Sequence, residues 1–193
     1  MKKPSIQQSK KKVLFLLEEP SAEELLKVFI PRCFPAIQSR CQYLHFRGKD
    51  NLLKRLPDTI MNYANQCSKI IILCDQDNDD CIKLKRRIVA SCKKTGFQSQ
   101  CVVRIVCREL ESWYLAQLDI VAKHFGTADL VKRQHRYKNP DSQNNPAAEL
   151  KRMTNENYQK IKGSRMMGQY IEPDVVRSTS FKHFVAVLKQ ISK

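Results

Sequence analysis

Apolar residues are concentrated in four short runs along the chain, and stretches with helical periodicity lie between them. Residues 13–17 and 70–74 are continuously apolar and rich in leucine or isoleucine, which is typical of strands buried on both faces of a parallel sheet. Residues 43–46 and 101–107 predict two further strands. Because strands alternate with helices, we expect an α/β fold with a parallel sheet of about four strands flanked by helices.

Helix signals follow the predicted strands. A capping box at residues 21–24 predicts a helix that begins there and ends at Pro31. Asp50 predicts the N-cap of the next helix, which Pro57 is expected to kink or split. Residues 81–94 predict a third helix, with apolar residues on its inner side and a stripe of lysine and arginine on its outer side.

The last third of the chain is predicted to be a helical C-terminal elaboration of the same domain. Helices are expected at the end of the core over residues 116–125, and beyond it from Pro146 onward and over residues 181–191. The polar, basic residues 132–145 predict a mobile loop or lid. The predicted organisation is a basic N-terminal tail (1–12), an α/β core (13–125), and a basic loop with a helical part packed on that core (126–193).

The charge of the chain favours a polyanionic partner. Its 35 lysine and arginine residues against 19 aspartate and glutamate residues give a net charge of +16, and nucleic acid is the partner that such a balance favours. The alternative is that the charge only keeps the protein soluble.

Two further features bear on location. No apolar run approaches the roughly 20 residues that span a bilayer, and no signal peptide is recognisable, so we expect a cytoplasmic protein without a membrane partner. The eight cysteines are scattered, without a CxxC pair or histidine at zinc-ligand spacing, which predicts reduced thiols and no zinc site.

Acidic residues follow three of the predicted strands at the point where each strand ends. Glu18 and Glu19 follow the first strand, four aspartates between residues 75 and 80 follow the third, and Glu109 and Glu111 follow the fourth. Because the carboxyl ends of parallel strands meet at one edge of a sheet, we expect these side chains to converge. Such a cluster suits Mg²⁺ and metal-assisted phosphoryl transfer.

Spacing refines this prediction but leaves alternatives. Asp75 and Asp77 are two residues apart, as are Glu109 and Glu111, so each pair shares a face if its segment is extended. The aspartate stretch alone is equally typical of a solvated turn that caps the next helix. Trp113 has two candidate roles, which are desolvation of the Glu111 carboxyl group and ordinary core packing.

Several basic residues are candidates for contact with a nucleic-acid backbone. They are Arg47, Lys49, Arg86, Arg87, Lys160, Lys162 and Arg165. Residues 160–165 combine glycine and serine with positive charge, which suits close contact with a phosphate. Arg47 and Lys49 follow a strand end, where they could also be solvated loop charges.

These residues carry a family resemblance. Glu18 at a strand end, the helix start that follows it, and the Asp75-x-Asp77 pair resemble the Toprim domain, the catalytic module of topoisomerases, DnaG-type primases and OLD nucleases. In more detail the chain resembles a Toprim-like bacterial family of the DUF4276 type. The segments that carry this closer resemblance, which covers nearly the whole chain, are residues 17–23, 74–80, 109–113, 162–165 and 177–181.

The resemblance implies a Toprim-like (Rossmann-like) fold and an endonuclease that depends on Mg²⁺ or Mn²⁺ and acts on DNA or RNA, including tRNA. It also implies an OLD-like effector of bacterial anti-phage defence, controlled by an ATPase partner of the ABC/SMC type. Arg177 joins the candidates for nucleic-acid contact through its match to the family's C-terminal part. A homo-oligomer is left open.

The resemblance also implies roles for the acidic residues. The assignment is Asp75 and Asp77 as main metal ligands with Asp79 beside them, Glu18 as general acid/base or second-metal ligand, and Glu111 as a further acidic contributor. Toprim proteins usually have glycine after the first glutamate, whereas this chain has Glu19, so either glutamate is a candidate for the catalytic one.

Two other functions compete with a nuclease. A non-catalytic module with a degenerate site would bind nucleic acid or a partner without cleaving. A small-molecule phosphohydrolase would also use an Asp-x-Asp at a strand end, as haloacid-dehalogenase-type enzymes do. That alternative ranks last, because those enzymes carry the pair on the first strand with Thr or Val two residues on, whereas here it follows the third strand, with Asp79.

Overall fold

A computed structural model describes residues 11–127, 135, 137–174 and 177–193 of the chain. These residues contain an all-parallel, four-stranded sheet with the strand order β2-β1-β3-β4. Its strands are β1 (Lys12–Leu17), β2 (Cys41–His45), β3 (Cys67–Asp75) and β4 (Cys101–Val106). The prediction of an α/β, Rossmann-like fold is confirmed, and each of the four apolar runs forms one of these strands.

Helices connect the strands and make up most of the C-terminal part. They are α1 (Pro20–Cys33), α2 (Pro35–Gln38), α3 (Lys49–Tyr63), α4 (Cys81–Lys94), α5 (Glu111–Leu115), α6 (Leu118–Phe125), α7 (Pro146–Met153), α8 (Lys160–Gly168) and α9 (Thr179–Ile191). Short 3-10 turns lie at Ala64–Gln66, Gln98–Gln100 and Pro140–Ser142. No helix in the described part of the chain is both long and apolar enough to cross a membrane.

The strand order places a ligand crevice between β1 and β3. The chain passes from β1 through α1 to β2 at one edge, then returns through α3 to β3 on the other side of β1, and continues through α4 to β4. Strand order therefore reverses between β1 and β3. In open α/β sheets, ligands bind at such a reversal, outside the carboxyl ends of the strands.

The two faces of the sheet pack against different cores. Alternate residues of a strand point to opposite faces, and Phe15 and Ile71 belong to one core while Leu14 and Ile70 belong to the other. The first core lies with α1 and α5 to α9 and is rich in aromatic rings, and we call this side the aromatic layer. The second core lies with α3 and α4 and is mostly aliphatic, and we call this side the aliphatic layer.

Trp113 belongs to the centre of the aromatic layer. Its ring centroid lies 4.9 Å from that of Phe181 and 5.2 Å from that of Phe184, and its Nε1 donates a hydrogen bond of 2.9 Å to Ser180 Oγ. The side chain is completely buried. Of its two candidate roles, the structure therefore shows core packing, with rings contributed by α9.

Two helix starts differ from the sequence prediction. The capping box is wrong, because α1 has Glu19 at its N-cap and Ser21 lies inside the helix, where its hydroxyl donates to the Glu19 carboxylate. Pro20 occupies the first turn of α1, where its fixed φ favours a helix and its missing N–H costs nothing. Asp50 is likewise not an N-cap, since Gly48 with φ +86° precedes the first residue of α3.

Two prolines do not end their helices. Pro31 was predicted to end the first helix, yet α1 continues past it to Cys33. Pro57 lies inside α3, which is one continuous element from Lys49 to Tyr63. In both cases the residue before the proline, Ile30 or Leu56, is fully buried, and that burial offsets the lost hydrogen bond.

The predicted phosphate-contacting segment, residues 160–165, is helical and forms most of α8. A side chain at Gly163 would overlap the Tyr158 ring, and a Cβ at Gly168 would lie 2.7 Å from the Leu25 carbonyl oxygen in α1. These glycines therefore permit close packing, of Gly163 against the Tyr158 ring and of Gly168 against α1. Contact of residues 160–165 with a phosphate stays a prediction. Residues 132–134 and 136 of the predicted lid lie outside the described residues, as do tail residues 1–10.

Candidate active site at the carboxyl edge of the sheet

Glu18 and Asp75 meet at the reversal point between β1 and β3. Glu18 follows β1 directly, and Asp75 is the last residue of β3. Glu18 Oε2 accepts hydrogen bonds from the Asp75 backbone N–H (2.8 Å) and from Cys74 Sγ (3.0 Å). Both carboxyl groups are buried, with 9% and 8% of each residue exposed. The predicted convergence of strand-end acids is confirmed for this pair.

Glu111 adds a third buried carboxyl group from α5. Its Oε1 accepts a 2.8 Å hydrogen bond from the Tyr158 hydroxyl, while its Oε2 has no partner among the described residues. The condition for a shared face with Glu109 is not met, because Glu111 begins a helix and the chain is no longer extended there. Glu109 instead accepts a hydrogen bond of 2.8 Å from the Ala147 backbone N–H, at the start of α7.

Burial and mutual repulsion shift the ionisation of these three groups. Burial raises the pKa of Asp75 well above its ordinary value, and the negative charges of Glu19, Glu18 and Glu111 raise it further. Burial likewise raises the pKa of Glu18 and of Glu111. Each of the three carboxyl groups therefore keeps its proton to a higher pH than an exposed acid does.

Lys160 brings a positive charge from α8 to this cluster. Its Nζ lies 3.4 and 3.3 Å from the two carboxylate oxygens of Glu19. Burial lowers the pKa of Lys160, but the negative charges of Glu111, Glu19 and Asp75 outweigh it and leave the pKa raised. The ammonium group therefore stays charged beside three acids that different elements supply.

Asp77 and Asp79 belong to a separate ion-pair cluster on Lys49. Lys49 Nζ donates to Asp77 Oδ2 (2.8 Å), to Asp79 Oδ2 (2.6 Å) and to the Gln76 carbonyl oxygen (3.0 Å). The condition for a shared face of Asp75 and Asp77 is not met, because Asp77 has a left-handed backbone with φ +52° and the segment is not extended. Asp75 and Asp77 therefore have different partners. Asp80 caps α4 by accepting a 2.8 Å hydrogen bond from the Lys83 N–H.

The predicted metal ligands are thus divided between two places, Glu18 with Asp75 and Asp77 with Asp79. Within the described ranges, no group of three or more His, Cys, Asp or Glu side chains has the arrangement to hold a metal ion. The oxygen donors themselves are of the kind that Mg²⁺ prefers. Glu111 Oε2, which is buried and has no hydrogen bond in the described part, is the donor atom without a protein partner.

The predicted backbone-binding cations have different surroundings. Lys49 and Lys160 lie at the acidic edge, whereas Arg165 pairs with Glu24 at 2.9 Å on the outside of α1 and α8. All members of the set except the half-buried Lys49 are exposed. Sequence reasoning did not identify Tyr158 or Cys74 as neighbours of the acids. For Cys74 a signal existed, since it directly precedes Asp75 in the buried run.

Comparison with known proteins bears on the family. A family model described as a domain of unknown function, DUF4276, matches residues 17–189, a range that includes Glu18, Asp75, Glu111 and Lys160. No curated protein and no solved structure gives a significant match. Because the matched range covers most of the 193 residues, the chain belongs to the DUF4276 family.

Proposed function

We propose that the protein is a Toprim-type, metal-dependent endonuclease that cleaves nucleic acid. The observation that carries this proposal is the hydrogen-bonded contact between Glu18 and Asp75 at the reversal point of the sheet. Buried acids with raised pKa values at such a crevice are a recurring property of catalytic sites. The proposal rests also on the resemblance of the Glu18 and Asp75-x-Asp77 segments to Toprim domains.

Mg²⁺ or Mn²⁺ is the cofactor proposed for this site. Glu18 and Asp75 supply carboxylate oxygens, the ligands that hard divalent cations take, and a third ligand such as Glu111 would have to move towards them to complete the site. When bound, the ion would neutralise charge on the scissile phosphate and lower the pKa of an attacking water. Asp77 and Asp79 would contribute only if they exchanged the Lys49 ammonium group for the ion.

The chain's own groups suit proton transfer and charge stabilisation. Glu18 is buried and its pKa is raised, so it keeps a proton to a higher pH than an exposed glutamate does, which suits a general acid/base. Lys160 and Lys49 present ammonium groups on either side of the acids, where they can bind non-bridging phosphate oxygens. Glu19, which pairs with Lys160, would orient that ammonium group.

The proposed substrate is DNA or RNA, including tRNA, because a net charge of +16 favours a polyanion. We also propose an effector role in anti-phage defence under the control of an ABC/SMC-type ATPase, a proposal that rests on the family resemblance alone. The cytoplasm is the location that fits this role.

One observation favours a second candidate function. Asp77 and Asp79 are both neutralised by Lys49, as expected of a degenerate site that binds nucleic acid without cleaving it. An internal ammonium group can take the place that a metal has in an active relative. Cleavage activity separates this alternative from the nuclease.

The test is cleavage of mixed tRNA, single-stranded RNA and plasmid DNA by the purified protein with Mg²⁺ or Mn²⁺. We expect cleavage that Asp75→Asn and Glu18→Gln each reduce at least about 100-fold, since each removes a group at the reacting phosphate. The control is Asp58→Asn on the exposed side of α3, which should retain full activity.

Binding without cleavage under every metal condition, both alone and with the partner ATPase, would favour the degenerate module. Cleavage that is equal in wild type and Asp75→Asn would contradict the assigned site. Hydrolysis of small phosphate esters without cleavage of nucleic acid would favour the phosphohydrolase.

A further inference from the structure

Three grooves on the aliphatic layer carry most of its exposed positive charge. The first lies between α3 and α4, has a volume of about 460 Å³, and is lined on its charged side by Asp50, Lys54, Arg87 and Lys94. We call it the basic groove. Only the acidic Asp50 opposes its three cations, so its net charge is positive.

The basic groove adjoins a second groove beside the acidic edge of the sheet. Arg87 also lines this second groove, whose other charged residues are Asp79, Asp80 and Lys83. Asp79, which lies in the loop that follows Asp75, forms a salt bridge with Lys49. A chain that follows these two grooves therefore passes from the space between α3 and α4 to the carboxyl end of β3.

A third groove extends the positive surface along the other side of α3. It is lined by His45, Arg47, Asn51 and Arg55, where β2 ends and α3 begins. Arg47 and Arg55 form no salt bridge with the residues that the structure describes. The positive surface therefore reaches the carboxyl edge of the sheet at two places, the third groove near the end of β2 and the second groove near the end of β3.

The cations of the basic groove are available to a ligand. Within the described ranges, Lys54, Arg87 and Lys94 form no salt bridge, whereas Arg32, Lys160 and Arg165 in the aromatic layer each pair with a glutamate. An unpaired guanidinium or ammonium group loses no internal partner when it binds a phosphate. Such binding also releases counterions from the nucleic acid, which drives association.

We propose that the basic groove binds the phosphodiester backbone of a nucleic-acid strand and leads it to the acidic edge. This inference rests on the proposed function for its direction, and it specifies where the substrate lies. It also assigns different roles to Arg86 and Arg87, which the sequence analysis groups together as candidates for backbone contact. Arg87 lines the basic groove, whereas Arg86 lies on the adjacent face of α4 with Ile82, Lys85 and Lys93.

Nucleic acid fits the basic groove better than an acidic protein segment does. Most residues that line the groove are charged or polar, and its apolar lining residues are Leu53 and Ala90. A protein helix would need an apolar stripe, and α4 has one on its other face, where Ile82 is 62% exposed. The two faces therefore suit different partners, and the charged one suits phosphates.

The test compares two charge-matched triple variants of the full chain. The groove variant is Lys54→Ala, Arg87→Ala, Lys94→Ala, and the control variant is Lys85→Ala, Arg86→Ala, Lys93→Ala. Each loses three positive charges from exposed helix positions. Binding to labelled single-stranded RNA, single-stranded DNA and duplex DNA is measured in EDTA between 50 and 300 mM salt, so cleavage does not contribute.

We expect the groove variant to lose about 50-fold in affinity for a single strand at physiological salt, and its log–log salt slope to fall by about 2. The control variant should bind within about 3-fold of the wild-type affinity and should keep the wild-type salt slope. The three probes distinguish a single strand from a duplex as the preferred ligand. Poly-glutamate is the fourth probe, because it carries the charge of an acidic protein segment without phosphates.

Equal losses in the two variants would overturn the inference, because affinity would then follow total charge. Groove-dependent binding of poly-glutamate without binding of any nucleic acid would also overturn it, in favour of an acidic protein partner. Groove-dependent binding of nucleic acid by a protein that never cleaves would support the inference while contradicting the nuclease. Cleavage of nucleic acid that is equal in wild type and in the groove variant would support the nuclease and contradict the inference.

Discussion

The aromatic and aliphatic layers cover opposite faces of the same sheet, and they treat positive charge differently. In the aromatic layer, cations pair with carboxylates across helices, as Arg32 does with Glu172 and Arg165 with Glu24. On α4, six lysine and arginine side chains form no salt bridge with any described residue. The aromatic layer thus pairs part of its positive charge internally, whereas α4 presents all six of its cations to solvent.

The packing of the two layers differs as well, and this difference indicates where the fold is stabilised and where a ligand can bind. Rings from α1, α5 and α9 interlock in the aromatic layer, where Phe29, Trp113 and Phe181 are completely buried. The aliphatic layer consists of two helices on the sheet, with an open groove between them. Changes in the first layer should therefore cost stability, and changes on the surface of the second should cost binding.

The largest expected effect is a ring deletion in the aromatic layer. Phe181→Ala should lower the free energy of unfolding by about 3–5 kcal/mol, because it leaves a cavity between Trp113 and Phe29. Leu84→Ala, at the margin of the aliphatic layer, should cost about 2 kcal/mol. Urea unfolding followed by Trp113 fluorescence measures both. A larger loss from Leu84→Ala would reverse the proposed ranking of the layers.

A glycine in the aromatic layer gives the next effect. Gly163→Ala should lower the free energy of unfolding by about 1–3 kcal/mol, because the added methyl group displaces the Tyr158 ring that binds Glu111. At an unconstrained helix position the same change would instead stabilise by up to about 1 kcal/mol. Urea unfolding gives the sign. Ser91→Ala on α4 is the control and should be nearly neutral or slightly stabilising.

The acidic edge between the two layers should respond in the opposite direction. Asp75→Asn removes a buried charge while an amide oxygen can still accept the Leu110 N–H bond, so at pH 7 it should stabilise by about 1 kcal/mol. A carboxyl whose pKa folding raises favours the folded state below its unfolded value, near 3.8, and disfavours it as pH rises through the folded value.

The gain from Asp75→Asn should therefore shrink as the pH falls from 7 and should disappear below the unfolded pKa near 3.8, where the wild-type carboxyl is protonated in both states. Urea unfolding at several pH values measures this trend. Asp58→Asn, at an exposed position of α3, should show no such trend. A gain that grows on acidification would contradict the raised pKa of Asp75.

The smallest expected effect belongs to the surface of the aliphatic layer. The groove variant with Lys54, Arg87 and Lys94 replaced by alanine should unfold within about 0.5 kcal/mol of wild type, because it breaks no described salt bridge. Urea unfolding and circular dichroism measure this. A loss above about 1.5 kcal/mol would show that these cations support the fold, and would remove the contrast between the layers.

The strands and the two central acids could be predicted because their signals are local. Residues 13–17 and 70–74 are continuous apolar runs, and only a strand buried on both faces accommodates them. The topological rule for parallel sheets then brings Glu18 and Asp75 together without any knowledge of the side chains between them. The burial of both carboxyl groups follows from the same placement.

The features that sequence reasoning missed depend on contacts far apart along the chain. The left-handed turn at Asp77 is held by a hydrogen bond from its N–H to the Arg108 carbonyl oxygen, 31 residues later. The glycine and the positive charges of residues 160–165 suggested contact with a phosphate. The sequence does not show that the Tyr158 ring lies where a side chain at Gly163 would be. The split of the aspartates between two partners depends on Lys49, which no local pattern assigns to them.

The contribution of α8 and α9 has a consequence for truncation. A chain cut after Phe125 would lose Phe181 and Phe184 and would leave the Trp113 ring in contact with water. It would also lose Lys160 and the tyrosine that holds Glu111. An exposed aromatic surface of this kind promotes aggregation. The shortest fragment that folds and keeps the acidic edge intact therefore includes the C-terminal helices.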